Sequence, residues 1–410
     1  MNTWSLSWHG LRTVVSLELK QRVRSSRWLV ALAAWFVLIG GVTGLVIYSM
    51  QVMRADYGYN DYGAGPLAFG IITMFVLGMG LVIAPAFTAT SINGDRSAGT
   101  LATLQATRLS AVEIAAGKLI AAWLAAAVFL IVALPFIVLT MVLGSISLWQ
   151  VAVCFAVVFA LVAVVCAIGL GWSALIQRTA GASVMTYVSV VLLGIISPMV
   201  MALSVPFTQE EVTVRVWGLP TSVEEAYWRE MDEYWQANPD SDGAGAPAPP
   251  IGECTWKEDR YEQYRTDRVW WLLVPNPFVI VADAAPLPDE ARDSLNSYVG
   301  MSGDPLAGIR AGVRSLAAGP ERERDDCIYL YYNLGYNVDW NADGTPNVTT
   351  QNGTPVPVTS PVKQRSVDAG APIWPWGLGI NLALGAAFFW VAVRRLAVPY
   401  GVLPKGVRVA

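Results

Sequence analysis

Long apolar runs without charged side chains dominate the chain, and they lack the regular alternation of half-buried strands. Each run holds about 20 residues or more, the length of α-helix that crosses a hydrocarbon core of ~30 Å. Lipid offers no hydrogen-bond partners to an open backbone, so such runs favour helices over barrel strands. The pattern predicts an all-α bundle of six transmembrane helices, at Trp28–Met50, Pro66–Thr90, Leu119–Leu143, Trp149–Ile176, Ala180–Ser204 and Ile373–Val393.

The acidic residues are concentrated in one segment between the fifth and sixth runs. Of 31 Asp and Glu, 26 lie in residues 205–371, together with 13 basic residues, which gives this segment a formal charge of −13. The other 243 residues carry 14 basic and five acidic residues, or +9, which restores the net charge of −4. A segment of 167 residues is long enough for a core of its own. It is therefore predicted to be a water-exposed domain inserted between spans 5 and 6.

Basic residues in the connections predict the orientation, because Lys and Arg near span ends favour the cytoplasmic side. They lie before span 1, between spans 2 and 3, after span 4 and after span 6. The predicted parts are a cytoplasmic N-terminal segment 1–27, spans 1–5 in 28–204, an extracellular domain 205–371, span 6 in 372–393 and a cytoplasmic tail 394–410. We expect such a chain in the inner (plasma) membrane of the cell.

The N-terminal segment is predicted to form an amphipathic helix at the cytoplasmic membrane surface. Trp4, Trp8, Leu11 and Val15 recur at helical spacing, and basic residues lie on other faces. Aromatic rings at headgroup level and cations beside anionic lipid would stabilise a helix in that position. The alternative is an ordinary helix that packs against the bundle.

The pattern inside the inserted segment favours a mixed α/β fold. Alternating apolar residues are typical of strands, and helices are indicated by apolar spacing and by stop signals such as proline. The predicted elements are strands at 212–216 and 327–333, helices at 223–237, 261–274 and 304–318, and a Pro-, Gly- and Ala-rich linker at 238–250.

The apolar stretch at 270–281 is too short for a further span, and Pro275, Asn276 and Pro277 interrupt it. We expect an interfacial element on the outer leaflet, with a re-entrant hairpin as the alternative.

Cysteine placement separates two kinds of thiol. Cys154 and Cys166 lie inside the fourth run, where free cysteine behaves as a small apolar residue. Cys254 and Cys327 are the only cysteines of the acidic segment, and in an oxidising exterior they are predicted to form a disulfide. Two unpaired thiols in a reducing compartment are the alternative, and they would also overturn the orientation.

A partial calcium-loop pattern occurs in the acidic segment. Asp339, Asn341, Asp343 and Gly344 match the first half of the loop, in which alternating oxygens wrap the ion. The twelfth position holds Thr350 instead of the bidentate Glu. A turn rich in Asp and Asn is the favoured interpretation, and a calcium site is the weaker one.

The connection between spans 2 and 3 contains a helix start. Ser110 precedes Glu113 by three residues just before an apolar run, which is a capping box. Upstream, Gly99 permits a backbone turn that other residues avoid. On these features alone, the segment is either a functional element or a solvated loop.

The same stretch resembles the signature of ABC-2 type transporter permeases, which typically read Glu-Arg-Glu-x-Gly-Thr-Leu, then Thr-Pro-Leu-Ser, then Glu-Ile and Gly-Lys. This chain carries Asp95-Arg96, Gly99-Thr100-Leu101, Thr107, Leu109-Ser110, Glu113-Ile114 and Gly117-Lys118. It departs at Ser97, where a second acid is usual, and at Arg108, where proline is usual.

The resemblance implies a permease subunit of an ATP-driven exporter, coupled through residues 91–118 to a separate ATPase that holds ATP and Mg²⁺. It also implies a second permease copy, identical or related, beside the first. No nucleic-acid partner is expected. The residues that the resemblance places at the ATPase contact are Asp95, Arg96, Gly99, Thr100, Ser110 and Glu113.

Several other functions are disfavoured by the residues present. The chain has no G-x-x-x-x-G-K-[ST] phosphate loop, so an ATPase must be another polypeptide. The six predicted spans contain no Asp, Glu, Lys, Arg or His, which disfavours ion-coupled transport. The single histidine, His9, lies on the predicted cytoplasmic helix, which excludes a Ser-His-Asp site in the predicted extracellular domain. The chain is therefore expected to be non-catalytic.

Two alternatives stay open. The low polarity of the spans suits a hydrophobic or amphipathic cargo such as a drug, lipid or peptide. It equally suits a sensory or mechanotransmitting membrane protein, whose extracellular domain binds a ligand or an envelope partner without transport. Gly40 and Gly44 form a G-x-x-x-G pattern in span 1, which serves packing between two chains or within one.

Overall fold

The computed structural model describes most of the helical part and about two thirds of the segment between spans 5 and 6. The residues described are 4–57, 64–105, 109–144, 146–239, 241, 245–247, 254–287, 303–328, 331, 337–340, 345–349, 355–356, 360–362 and 371–397. The predicted tail beyond residue 397, most of the 238–250 linker, and Asn341 and Asp343 of the calcium pattern lie outside them.

Among the residues that the structure describes, six long apolar helices form the bundle, which confirms the predicted number of spans. They are α2 (Ser26–Tyr57), α3 (Ala64–Thr88), α6 (Ala111–Val142), α7 (Leu148–Leu175), span 5 and α13 (Trp374–Leu396). Span 5 consists of α8 (Thr179–Val191), a π-helical turn Leu192–Ile196 and α9 (Ser197–Ser204). Because length and composition of these helices match a bilayer, we number them as spans 1 to 6 in chain order.

The spans differ in how much of their surface the bundle covers. In the most apolar window of each span, 61% of span 4 and 56% of span 2 are buried, against 22% of span 1 and 17% of span 5. The main core accordingly lies between spans 2, 3 and 4, around residues such as Ile72, Leu130 and Leu161. Spans 1 and 5 therefore lie at the periphery of the single chain.

A short helix, α1 (Trp8–Val23), precedes the bundle and packs along the start of span 3. Ser7 caps it by accepting a hydrogen bond from the amide of Gly10. Gly10, Val14 and Glu18 form its buried face, whereas Trp8 is 78% exposed. The packed helix that the sequence left as an alternative is therefore present, and its buried face carries small and acidic residues instead of the tryptophans.

The segment between spans 5 and 6 contains two small sheets. In the first, β1 (Gln209–Gly218) pairs antiparallel with β2 (Thr255–Tyr264) and parallel with β3 (Glu323–Asp325). In the second, β4 (Asn337–Trp340), β5 (Pro346–Thr349) and β6 (Pro355–Val356) run antiparallel. Helix α10 (Thr221–Ala237) follows β1. The predicted strand at 212–216 and the helices at 223–237 and 304–318 are confirmed.

Two element predictions in this segment were wrong. Residues 255–264 are a strand, because all ten of them pair with β1, a partner distant in sequence. The helix predicted at 261–274 is replaced by the end of that strand and by 3₁₀ turns at Thr266–Arg268 and Trp270–Leu273. The strand predicted at 327–333 is helical where it is described, because the Asp325 carboxylate accepts from the amide of Ile328 and begins a turn.

The second half of the apolar stretch predicted to be an interfacial element lies inside the bundle, whereas Trp271 in its first half is 60% exposed. Helix α11 (Pro277–Ala284) is almost fully buried between spans 4, 5 and 6 and α12 (Pro305–Ala318). Asn276 caps α11, and its amide donates to the Gly194 carbonyl in the π turn and to Ser197 Oγ, both at 3.0 Å. This end of the bundle, with α11, α12 and the sheets, is called the insert end below, and the opposite end the α1 end.

Cys254 and Cys327 form a disulfide, as the sequence predicted, and Cys154 and Cys166 are free and buried. The disulfide joins the start of β2 to the helical turn after β3 across 73 residues of sequence.

Candidate functional site

The connection between spans 2 and 3 folds as two short helices with a glycine turn. Helix α4 (Asn93–Ser97) leads to Gly99, whose φ of +74° lies in the left-handed region, and then to α5 (Thr100–Gln105). Glycine adopts this conformation without steric cost, so the chain reverses direction at one residue. Ser97, Ala98 and Thr100 are exposed around the turn. We call residues 96–100 the tip of the loop.

The base of this loop is fixed to the bundle. Ser173 Oγ, near the end of span 4, accepts from the amides of Ile92 and Asn93 at 3.0 and 3.2 Å. The Asn93 side chain donates to the carbonyl of Ile176. An apolar cluster that includes Ile92 and Leu101 packs against the ends of spans 4 and 6. The loop therefore presents an exposed tip on an anchored base.

The predicted capping box is present and extends to the N-terminal segment. Ser110 Oγ accepts from the Glu113 amide, and Glu113 Oε2 accepts from the Ser110 amide at 2.8 Å. The other carboxylate oxygen of Glu113 accepts from the amide of Ser7 at 2.6 Å, and the Ser110 hydroxyl donates to the Ser5 carbonyl. Glu113 is only 4% exposed. Its carboxylate accepts hydrogen bonds from two chain segments, the one before α1 and the start of span 3.

Lys118 forms a second polar junction one and a half turns further along span 3. Its ammonium group donates to Glu18 of α1 at 2.6 Å and to Asp95 of α4 at 2.5 Å. Lys118 is 1% exposed, and a buried cation of this kind is tolerated only when it is paired. One side chain thus connects α1, α4 and span 3.

Small residues let α1 approach span 3 closely between these two junctions. A Cβ on Gly117 would lie 2.5 Å from Val14 Cγ1, and a Cβ on Gly10 would lie 2.8 Å from the Glu113 carboxylate. Real side chains do not approach so closely, so both positions require glycine at this separation. We call Ser110, Glu113, Gly117 and Lys118 the α1 socket.

Arg22 joins α1 to span 2. Its guanidinium donates to the carbonyl of Phe87 at 3.1 Å and lies over the Phe87 ring. Burial lowers the pKa of Arg22, and the neighbouring Glu18 carboxylate opposes this shift.

The structure divides the six residues predicted to contact an ATPase into two groups. Gly99 and Thr100 belong to the tip, together with Arg96, which is half-buried. Ser110 and Glu113 are buried in the α1 socket, and Asp95 connects the two groups through Lys118. The six predicted residues do not include Ser7, Gly10 and Glu18, whose partners are about 100 residues away in sequence. They also omit Gly117 and Lys118, although a lone lysine at the start of an apolar run is a visible signal.

The structure leaves the calcium pattern without a described site. Asp339 lies in β4, but its side chain is not described, and Asn341 and Asp343 lie outside the described residues.

A bundle of six apolar spans, with an anchored loop between spans 2 and 3, is typical of a multi-pass membrane protein. The family model described as ABC-2 family transporter protein matches residues 12–219, just over half of the 410 residues. The chain belongs to this family. The match runs from α1 through spans 1–5 to the end of β1. Comparison with curated proteins finds no relative that matches.

Proposed function

We propose that the chain is the permease subunit of an ATP-driven exporter, and that a separate ATPase binds the tip formed by residues 96–100. The observation that carries this proposal is the exposed tip on an anchored base, because a docking element must be accessible and must transmit force. ATP and Mg²⁺ would be held by the partner. Asp95 would support the tip from within, and Ser110 and Glu113 would act through α1 rather than by touching the ATPase.

The proposed orientation has the α1 end in the cytoplasm of a cell with an inner (plasma) membrane, and the insert end outside. The basic residues of the connections support this direction. The disulfide at the insert end supports it independently, since disulfides persist in oxidising compartments.

A second permease copy would complete the translocation pathway. The low burial of spans 1 and 5 supports this, because both spans leave large apolar faces uncovered by the chain itself. The two glycines of the G-x-x-x-G pattern in span 1 have different surroundings. A Cβ on Gly40 would meet the Phe136 ring of span 3 at 3.2 Å, whereas a Cβ on Gly44 meets nothing within 4 Å. We therefore assign Gly44 to contact between copies and Gly40 to packing within one.

Matched substitutions test this assignment. Gly44→Leu should reduce the dimer fraction in detergent without lowering the midpoint of thermal unfolding of the monomer. Gly40→Leu should lower that midpoint, because the larger side chain collides with Phe136. An unchanged dimer fraction in Gly44→Leu would contradict the use of this face.

The polar side chains of the spans support a hydrophobic or amphipathic cargo. Six polar side chains of spans 3, 5 and 6 donate to backbone carbonyls: Thr140, Ser183, Thr186, Tyr187, Ser189 and Asn381. Side chains whose hydrogen bonds are made within the fold offer little to a polar cargo.

Reconstitution tests the function as a whole. The permease and its ATPase in proteoliposomes should hydrolyse ATP faster when cargo is present, and the cargo should move across the bilayer. Stimulated hydrolysis without movement would favour the sensory or mechanotransmitting alternative. Thr100→Trp at the exposed tip should abolish co-purification with the ATPase, and Thr13→Trp on the exposed face of α1 is the matched control.

A further inference from the structure

We propose that Lys118 is a positioning residue that holds α1 and α4 on span 3 as one rigid unit, so that a force on the tip also moves α1. This inference rests on the proposed function for the origin of the force. Its structural part, the rigid unit, stands on the geometry alone.

Burial and charge make Lys118 a clamp between two elements. Its ammonium group is surrounded by two carboxylates that come from different helices, Glu18 of α1 and Asp95 of α4. Removal of one partner from a buried ionic group leaves the remaining charges uncompensated, which is strongly unfavourable. Relative movement of α1 and α4 would break one of the two bonds, so the arrangement favours joint movement.

The socket around Lys118 restricts α1 further. Val14 packs directly on Gly117, and the Glu113 carboxylate holds the amide that precedes α1. The contacts follow one face of α1 at about one-turn intervals, since Gly10, Val14 and Glu18 meet Glu113, Gly117 and Lys118 of span 3 in that order. A helix fixed at three successive turns cannot rotate about its axis independently of span 3.

This geometry assigns a role to the second half of the family signature in this chain. Ser110, Glu113, Gly117 and Lys118 face α1, and only the first half of the signature reaches the exposed tip. The two halves would therefore do different work. The tip would receive the partner, and the socket would bring α1 into the moving unit.

The distance between α1 and α4 provides the test, and it requires no ATPase. Spin labels are attached to Thr13→Cys on the exposed face of α1 and to Gly94→Cys on α4, which lies outside the tip and where a Cβ meets nothing within 4 Å, after the buried thiols are removed by Cys154→Ala and Cys166→Ala. Double electron–electron resonance on the purified full chain should give one narrow distance distribution. Lys118→Met should lose that narrow maximum, whereas the exposed control Lys20→Met should retain it.

A neutral variant keeps the test decisive if Lys118→Met fails to fold. The double variant Asp95→Asn and Lys118→Met removes both ionic bonds of the clamp, while Glu18 keeps its pair with Arg22, so no buried charge is left unpaired. A narrow distribution in this variant, or in Lys118→Met, would overturn the proposal.

A second measurement separates this inference from the proposed function. In the complex with the ATPase, ATP should leave the α1–α4 distance and its width unchanged. If they change, the rigid unit is wrong although the ATPase binds. If the ATPase does not bind at the tip while the distance stays narrow, the proposed function is wrong and the rigid unit stands.

Discussion

Both ends of the bundle bury an ion pair, but only the pair at the α1 end involves a loop with an exposed tip. At the α1 end, Lys118 lies beneath a loop whose tip is exposed, and its partner Asp95 is 30% exposed. At the insert end, the side chains of Asp283 and Arg314 are 1% and 5% exposed and lie 2.7 Å apart. The second carboxylate oxygen of Asp283 accepts from the amides of Ile373 and Trp374, at the start of span 6.

This difference extends to the way each end is joined to the spans. The polar groups of α11 are directed inward, since Asn276 bonds to span 5, and the carbonyl that precedes it, that of Pro275, accepts from Asn381 of span 6. Gln150 of span 4 likewise donates to the carbonyl of Pro286. The insert end is therefore joined to the spans by bonds within the chain, whereas the α1 end combines an internal clamp with an accessible surface.

The largest expected effect is the loss of Asp283. Asp283→Ala should lower the free energy of unfolding by about 3–5 kcal/mol, because Arg314 loses the buried carboxylate that lies 2.7 Å away and the first amides of span 6 lose their acceptor. Thermal unfolding of the detergent-solubilised protein measures this. Glu323→Ala, which breaks an exposed pair with Arg215, is the control and should cost about 0–1 kcal/mol. Equal effects of the two variants would contradict the inward role of the insert end.

Removal of the disulfide should affect one end only. The double variant Cys254→Ser and Cys327→Ser should lower the stability of the sheet region by about 2–4 kcal/mol, because a long loop is no longer closed in the unfolded chain. Hydrogen exchange should accelerate in β1 and β2 and stay unchanged in α1. Cys154→Ala removes a thiol without removing a cross-link and serves as the control. Accelerated exchange at α1 would show that the two ends are not independent.

Overpacking of the α1 socket should affect the α1 end of the bundle. Gly117→Ala places a methyl group against Val14 and should cost about 1–3 kcal/mol, with faster hydrogen exchange in α1. Gly94→Ala in α4 is the matched control, since a Cβ there meets nothing within 4 Å. Unchanged exchange in α1 of Gly117→Ala would mean that the close approach at this position is not required.

The local sequence pattern was sufficient to predict the spans and the capping box. Each span followed from an uninterrupted apolar run, and the capping box at Ser110 and Glu113 followed from a spacing of three residues. The sequence also predicted the Cys254–Cys327 disulfide, because the acidic segment offers no other pair.

Contacts between residues distant in sequence determine the features that the local sequence pattern did not predict. The residues of β2 carry a weak helical signal, and their ten-residue pairing with β1 overrides it. The resemblance placed Glu113 at the ATPase contact, and nothing near it in sequence indicates that the amide of Ser7, 106 residues away, donates to its carboxylate. Helix α11 was placed at the surface because its length excludes a span, whereas the contacts that bury it come from spans 4, 5 and 6.

The smallest expected effect concerns the pH dependence of the insert end. Burial raises the pKa of Asp325, although Ser360 and backbone amides that bond to its carboxylate oppose the shift. The folded state therefore binds the proton more tightly than the unfolded state, and the free energy of unfolding falls as pH rises from the ordinary aspartate pKa to the raised one. The pKa of Asp267 is lowered, chiefly by hydrogen bonds from Arg265, so its contribution has the opposite sign and is lost as pH falls.

Comparison of variants isolates the Asp325 contribution from that of Asp267. Asp325→Asn keeps an oxygen that accepts from the Ile328 amide but does not titrate, so its unfolding midpoint should decline less than that of the natural chain as pH rises through this acidic range. The exposed Glu225→Gln on α10 is the control. Thermal unfolding measures the difference in midpoint between the variants. Hydrogen exchange in β3 should locate this difference at the insert end. Parallel pH profiles of the natural chain and Asp325→Asn would exclude Asp325 as its source.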